Sequence, residues 1–240
     1  MNVFELDADL IARYEKFARS FTSIRAEDLR SQIDAVYEGG KFWPEPLIGL
    51  NPEFKRGRSV AELARQGVVD RDLETVFSLG SPRTPISLHL HQEQALMKAL
   101  QSRNYIVTTG TGSGKSLCFF VPIINRILEA RRAGEPRRTR AIVIYPMNAL
   151  ANSQREELEK FIEHCGLDAS LKPTFARYTG QEQDSERQKV AANAPDIILT
   201  NFMMLELLMT RQDELDRQVI ENMKGLEFLV LDELHTYRGR

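Results

Sequence analysis

Residues 109 to 116 read Thr-Gly-Thr-Gly-Ser-Gly-Lys-Ser and follow the apolar run Tyr105, Ile106, Val107. A short β-branched and aromatic run, a glycine-rich turn and then a helix starting near Lys115 are what a phosphate-binding loop requires. Thr109, Gly110, Thr111, Gly112, Ser113 and Gly114 would form the cradle, because the three glycines let successive N–H groups turn toward one anion. The positive end of the following helix adds to the attraction. Lys115 is placed to reach the β- and γ-phosphates of a nucleoside triphosphate such as ATP, and Ser116 offers a hydroxyl to Mg²⁺. The strict pattern has glycine where this chain has Thr109.

A second chemical signal lies far along the chain. Leu226 to Leu231 is apolar except for Glu227 and ends in Asp232-Glu233-Leu234-His235. A strand delivering an acid is how an enzyme with such a loop supplies a carboxylate, here Asp232, for Mg²⁺. Glu233 is then free to orient or deprotonate a water that attacks the γ-phosphate.

Both signals need a scaffold. From about residue 86 the sequence alternates strand and helix patterns. Strands are expected at Tyr105 to Thr108, Ala141 to Tyr145, Thr174 to Tyr178, Ile197 to Thr200 and Leu226 to Leu231. Helices are expected at Gln92 to Gln101, Lys115 to Ala130, Ala149 to Cys165, Gln183 to Ala192, Phe202 to Met209 and Asp213 to Met223. Strands separated by helical stretches imply parallel pairing with right-handed crossovers, an open α/β sheet with helices on both faces. In such a sheet ligands bind at the carboxyl ends of the strands. Three further strand-exit loops carry hydroxyls, amides and free backbone donors suited to the phosphates of a nucleic-acid strand: Pro146 and Asn148, Thr179 and Gly180, Thr200 and Asn201. The basic run Arg131, Arg132, Arg137, Arg138 and Arg140 enters a strand, so it is expected at the opposite edge as a solvated loop.

Residues 1–80 read as a helical accessory region. Leu10, Ile11, Tyr14, Phe17 and Ala18 fall at helical spacing, as do Leu29, Ile33, Val36 and Tyr37. Paired glycines and prolines then break the pattern over residues 39–46 around Trp43, whose ring is expected to pin the break to the core rather than to stack on a base. Short helices are expected at Ser59 to Gln66 and Asp70 to Phe77, and the boundary with the 81–240 domain at Ser81 to Pro85.

Bulk properties narrow the classes. The 240 residues carry 32 Lys and Arg against 34 Asp and Glu, a net charge of -2, so any nucleic-acid contact is local rather than a global basic field. Cys118 and Cys165 lack metal-type spacing and read as buried thiols of a reducing cytoplasm. The acidic start, Glu5, Asp7 and Asp9, is unlike a secretory leader, and the apolar stretch Leu117 to Ile124 is too short for a membrane span.

Taken together these residues resemble the superfamily 2 (DEAD/DEAH-box type) helicases. Lys115 to Ile124, with Pro122 inside the helix, is similar to motif I; Leu90 to Ala95 resembles the glutamine motif, which implies that Gln92 reads the adenine edge; Tyr145 to Leu150 resembles motif Ia, with Met147-Asn148 in place of the usual Thr-Lys. Thr179-Gly180 is similar to motif Ib, Thr200-Asn201 to the loop that follows it, and Asp232 to His235 is a variant of the DEAH box. The resemblance covers about residues 87–240. It implies a first RecA-like lobe, MgATP hydrolysis with His235 coupling the γ-phosphate to the strand side, movement along a nucleic acid, and a second lobe beyond Arg240, without which ATP turnover is expected to be weak. Leu234 to Gly239 resembles the bacterial branch that includes the mitomycin-lesion repair helicase and phage-defence relatives, which favours DNA over RNA and allows partners in a repair or defence complex. A nucleotide-gated binding module without turnover, or a translocase that does not unwind, is the alternative.

Overall fold

The computed structural model describes residues 2–21, 23–40, 42–44, 47, 49, 53–110 and 112–237. Thr111, which belongs to the expected cradle, lies outside the described residues, as do Arg238 and Gly239 after the acidic turn. The chain forms two compact units, Met1–Pro52 and Glu53–Arg240.

The first unit holds two amphipathic helices. Helix α1 (Val3–Ser20) opens on a capping box in which Asn2 and Glu5 satisfy each other's backbone N–H groups. Helix α2 (Glu27–Glu38) carries Glu27 and Asp28 in its first turn, where negative charge favours the helix dipole. Trp43 sits in the break that follows, with its ring 5.0 Å from that of Tyr14, and Phe42 lies 4.7 Å from Tyr37. Neither helix buries a residue.

The second unit begins earlier than the turn at Ser81 to Pro85. Strand β1 (Arg56–Ser59) leads into α3 (Val60–Arg65) and α4 (Leu73–Val76), and Val60, Leu63, Val69, Leu73, Val76 and Phe77 are buried in the same apolar core as the main sheet. Burying those six side chains outweighs the punctuation of the Pro-rich turn, which instead closes a short hairpin between β2 (Ser78–Leu79) and β3 (Thr84–Pro85). Strand β4 (Ser87–His89) pairs antiparallel with β1 and runs directly into α5 (Leu90–Leu100).

The remainder alternates as expected. Helix α6 (Leu117–Arg132), β5 (Ala141–Tyr145), α7 (Asn148–Ile162), β6 (Phe175–Arg177), α8 (Asp184–Ala192), β7 (Ile197–Asn201), α9 (Phe202–Thr210), α10 (Glu214–Asn222) and β8 (Phe228–Leu231) follow in order. The four strands form a parallel sheet in the order β6-β7-β5-β8. Alternation of side chains then splits the core into two. Ala141, Val143, Tyr145, Ile197 and Leu199 pack with α6 and α7, whereas Ala176 and Ile198 pack with α8, α9 and α10. Helices therefore cover both faces, which is why β5 and the first three residues of β7 are apolar and buried. This is a RecA-like α/β sheet with a helical N-terminal extension.

One expected strand is not part of it. Residues 103–110 are without regular structure and Ile106 is 76 % exposed, although the segment leads into the glycine loop as its sequence suggests. A strand exists only through a pairing partner, and β-branched residues alone do not supply one. Among the described residues β8 pairs on one edge only, with Leu229 and Leu231 exposed. No helix of the described residues is long and apolar enough to cross a membrane.

Candidate nucleotide and nucleic-acid site

The glycine loop spans from residue 109 to the start of α6 at Leu117, whose N-cap is Ser116, two residues later than the helix start expected at Lys115. Gly112 and Gly114 hold φ of +76° and +70°, a region open to glycine at little cost. Gly114 is doubly constrained, since a Cβ there would lie 2.6 Å from Nε2 of Gln92. Thr109 Oγ1 and Ser113 Oγ share a hydrogen bond of 2.5 Å that braces the turn, a use for the threonine that stands in place of glycine. Among the described residues no acceptor takes the backbone N–H groups of Gly112, Ser113, Gly114, Lys115 or Ser116. Such a run of unspent donors at a helix start is a binding surface for an anion. Lys115 lies across the loop, donating from Nζ to the carbonyls of Thr109 at 3.3 Å and Gly110 at 3.5 Å.

Gln92 supports the loop from behind. It is 2 % exposed, its Oε1 accepts the His89 N–H at 2.7 Å, and its Nε2 donates to the carbonyls of Ser113 at 3.2 Å and Gly114 at 2.9 Å. Both ends of the amide thus brace the loop. His91 Nε2 lies 3.1 Å from the Ser113 carbonyl, and the rings of Phe54, His89 and His91 cluster with centroids 5.4 to 5.7 Å apart. Sequence reasoning missed Phe54, which is distant from the loop along the chain.

The acidic turn leaves the sheet at the same rim. The Asp232 N–H continues the ladder to Ile144 at 3.0 Å. Glu233 adopts φ +50° and ψ +48°, a left-handed conformation costly for a residue with a Cβ. Its N–H donates to Asp232 Oδ1 at 3.0 Å, its carbonyl accepts from the N–H and hydroxyl of Thr236, and His235 Nδ1 stands 3.3 Å from its Oε2. Burial raises the Asp232 carboxyl above its ordinary range and the charge of Glu233 adds to this, against the hydrogen bond from Glu233 and the positive charge of Lys115. Lys115 is thus near enough for its charge to act on Asp232. Tyr145 lies beneath, fully buried, and among the described residues its hydroxyl has no partner; burial first and the Asp232 charge second push it above the usual tyrosine range.

Asn148, Thr179, Thr200 and Asn201 also meet at this rim, where the strands end. Asn201 Nδ2 donates to Asn148 Oδ1 at 2.6 Å and to the Thr179 carbonyl at 3.2 Å, while its Oδ1 accepts the Met204 N–H and caps α9. Thr200 is buried, and its hydroxyl donates to the Tyr178 carbonyl at 2.6 Å. Thr179 and Gly180 both donate to Glu182, a residue the sequence reading passed over. Pro146 is half-buried at the exit of β5. These donors are gathered on one edge, but mostly spent on protein acceptors.

The basic run corrects the expectation of a solvated loop. Arg131 and Arg140 are 7 % and 3 % exposed; Arg131 pairs with buried Asp196 at 2.5 Å and Arg140 with Glu135 at 2.9 Å. Arg132 pairs with Asp70 and Asp72, and Arg138 with Glu227. The run did fall at the edge opposite the rim. Arg131 and Arg140 are internal there because Asp196 before β7 and Glu227 before β8 give their guanidinium groups partners, while Arg132 and Arg137 are exposed.

Residues 89–240 match the DEAD/DEAH box helicase family, and the chain belongs to it. It is 33 % identical over 166 residues to an uncharacterized ATP-dependent helicase, YprA of Bacillus subtilis (strain 168), covering 69 % of this chain and 20 % of that protein. An ATP-dependent RNA helicase, DBP9 of Saccharomyces cerevisiae (strain YJM789), is 31 % identical over 150 residues, 60 % of this chain and 24 % of that protein. The solved structure of the helicase MrfA bound to DNA and AMPPNP superposes with a TM-score of 0.61 at 25 % identity, covering 84 % of this chain and 26 % of that one. The chain thus spans about a fifth to a quarter of the length of these relatives.

Proposed function

We propose that this lobe binds MgATP and drives movement along a nucleic acid, with DNA as the substrate. The observation that carries the reading is the run of N–H groups from Gly112 to Ser116 that take no acceptor among the described residues, with Lys115 beside them and near enough to Asp232 for its charge to act there. An oxygen-only donor set, the Ser116 hydroxyl and the Asp232 carboxylate, suits a hard divalent cation. Among the described residues no three His, Cys, Asp or Glu side chains are grouped to hold a metal, which fits an ion completed by phosphate oxygens. When bound, Mg²⁺ would neutralise charge on the phosphates.

The chain's own residues take the remaining tasks. Lys115 leaves the carbonyls of Thr109 and Gly110 for the β- and γ-phosphates, a short move that exchanges weak acceptors for an anion. Glu233, held by its strained backbone with its carboxylate at the rim, orients the water and accepts its proton. His235, already against Glu233, passes the state of the γ-phosphate toward the loops at Asn148, Thr179 and Asn201. Preference for DNA draws on the DNA-bound MrfA relative, which covers 84 % of this chain at 25 % identity, against the RNA helicase DBP9, which covers 60 % at 31 %.

The test is ATPase activity of the chain, and of a version extended past Arg240, with single-stranded DNA, duplex DNA and RNA side by side. Stimulation by DNA that vanishes in Glu233→Gln is expected. Stimulation by RNA alone would reverse the substrate assignment, and nucleic-acid binding that is ATP-dependent but unchanged in Glu233→Gln would favour a gated binding module.

A further inference from the structure

Glu182 is the least expected group on the rim. Its side chain is 4 % exposed, and each carboxylate oxygen takes two donors. Oε1 accepts Arg177 Nε at 2.7 Å and the Thr179 hydroxyl at 2.9 Å; Oε2 accepts the N–H of Thr179 at 2.7 Å and of Gly180 at 2.9 Å. Burial by itself would push this carboxyl up, but those bonds and the Arg177 charge outweigh it and hold it below the ordinary range, so the group is an anion at neutral pH. A guanidinium, a hydroxyl and two consecutive backbone N–H groups are also the ligand set of a phosphodiester.

From this coincidence we infer that Arg177, Thr179 and Gly180 form a closed phosphodiester site of the nucleic-acid strand, and that Glu182 is the built-in anion which a backbone phosphate must displace. The inference rests on the reading that this rim holds the strand. A helix cap does not account for the arrangement, because α8 begins at Asp184 with Gln183 as its N-cap, so Glu182 precedes the helix. Arg177 also reaches back to Asn152 of α7, and the Thr179 carbonyl to Asn201, so the donors stay in place when the carboxylate leaves. Gly180, at φ +84°, supplies the freedom for residues 181–183 to swing outward. Glu182 thus sets how tightly this loop grips a strand and makes that grip dependent on competition between two anions.

The experiment is binding of a labelled single-stranded oligonucleotide to the chain and to Glu182→Gln and Glu182→Ala, measured over a range of salt, with thermal melts to show that each variant folds. Removing the internal anion is expected to tighten binding about three- to tenfold at low salt and to steepen the slope of log K against log salt by about 0.7, the value for one more phosphate contact on a single strand. Arg177→Ala placed in the Glu182→Gln background is expected to abolish the gain. Unchanged or weaker binding by folded Glu182→Gln, while Arg177→Ala and Asn148→Asp weaken binding, would overturn the plug and leave the rim reading standing. If Arg177→Ala and Asn148→Asp also change nothing, both fall together. Should Glu182→Ala fail to fold, Glu182→Gln, which keeps the shape and two of the donors satisfied, decides alone.

Discussion

The two ends of the parallel sheet are built on opposite plans. Where the strands begin, charge is closed on itself: Arg131 meets Asp196, Arg140 meets Glu135, Arg138 and Arg126 meet Glu227, and backbone bonds from Arg140 and Ala141 to Asp196 and from Phe228 to Arg140 stitch the starts together. At the other end, the glycine loop and the acidic turn are held short of their best partners. The N–H groups of Gly112 to Ser116 take no acceptor among the described residues, burial raises the Asp232 carboxyl, and Glu233 sits in a left-handed turn. One end supplies rigidity so that the other can remain unfinished, and an unfinished end is one that a ligand completes.

Substitutions should therefore separate stability from binding according to the end they touch. The largest effect is expected from Arg131→Ala. It leaves Asp196 charged and almost fully buried, with only Thr174 as donor, and is expected to lower unfolding free energy in urea by about 3–5 kcal/mol. Adding Asp196→Asn should restore part of the loss; restoration of none would mean that the guanidinium acts by packing rather than by charge. At the other end, Lys115→Ala is expected to reduce affinity for a non-hydrolysable ATP analogue on the order of 100-fold by calorimetry. Its stability should stay within about 0.5 kcal/mol of the parent. A comparable loss of stability would remove the contrast between the two ends.

Gly114→Ala tests the junction of the two plans, since it touches the loop and its support at once. A positive φ and a Cβ at 2.6 Å from Gln92 are expected to cost about 1–3 kcal/mol. Gln92→Ala in the same chain relieves the contact but also removes three hydrogen bonds, so the double variant should lose less stability than the sum of the two single variants. Fully additive losses would show that the cost at Gly114 lies in the backbone alone.

Much of this was legible in the sequence because it is local. The octet from Thr109 to Ser116, the acids after β8 and the alternation of strands and helices are patterns of neighbouring residues, and the structure shows the sheet they imply. What was not legible depends on partners remote along the chain. Whether Arg131 is solvated is decided by Asp196, and charge counting over a window cannot see a pairing 65 residues apart. Val60 to Phe77 read as an accessory helix pair, yet their apolar faces complete the core of the lobe, and only the packing tells. Tyr105 to Thr108 has the composition of a strand and no partner to pair with. Glu182 did leave a trace: it stands three residues after Thr179, the Thr-x-x-Glu spacing of a reciprocal cap. The same spacing serves here to fill a loop.

Asn201 offers a smaller test on the strand-end rim. It caps α9 and bridges Asn148 to Thr179, so Asn201→Ala is expected to cost about 1 kcal/mol of stability and to loosen the three exit loops together. Hydrogen exchange at Met204 and Gly180 should rise in parallel; a rise at Met204 alone would mean that the bridge does not couple the loops.

The smallest effect is a matter of pH, and it asks whether the rim donors are spent only on an ionised group. The Glu182 carboxyl is held below its reference value of 4.5, chiefly because hydrogen bonds from Thr179 and the Arg177 charge overcome its burial. A carboxyl whose folded value lies below its unfolded one contributes stability that is complete above the unfolded value and disappears as pH falls through the folded one. The loop should accordingly be indifferent to pH from neutrality down to about 4.5 and release its donors only below that. The Gly180 amide resonance reports it directly, with a midpoint under the ordinary carboxylate range in the parent and no titration in Glu182→Gln. A midpoint at or above 4.5 would mean that the four donors do not hold the anion, and the strand-end rim would then be as unspent there as it is at the glycine loop.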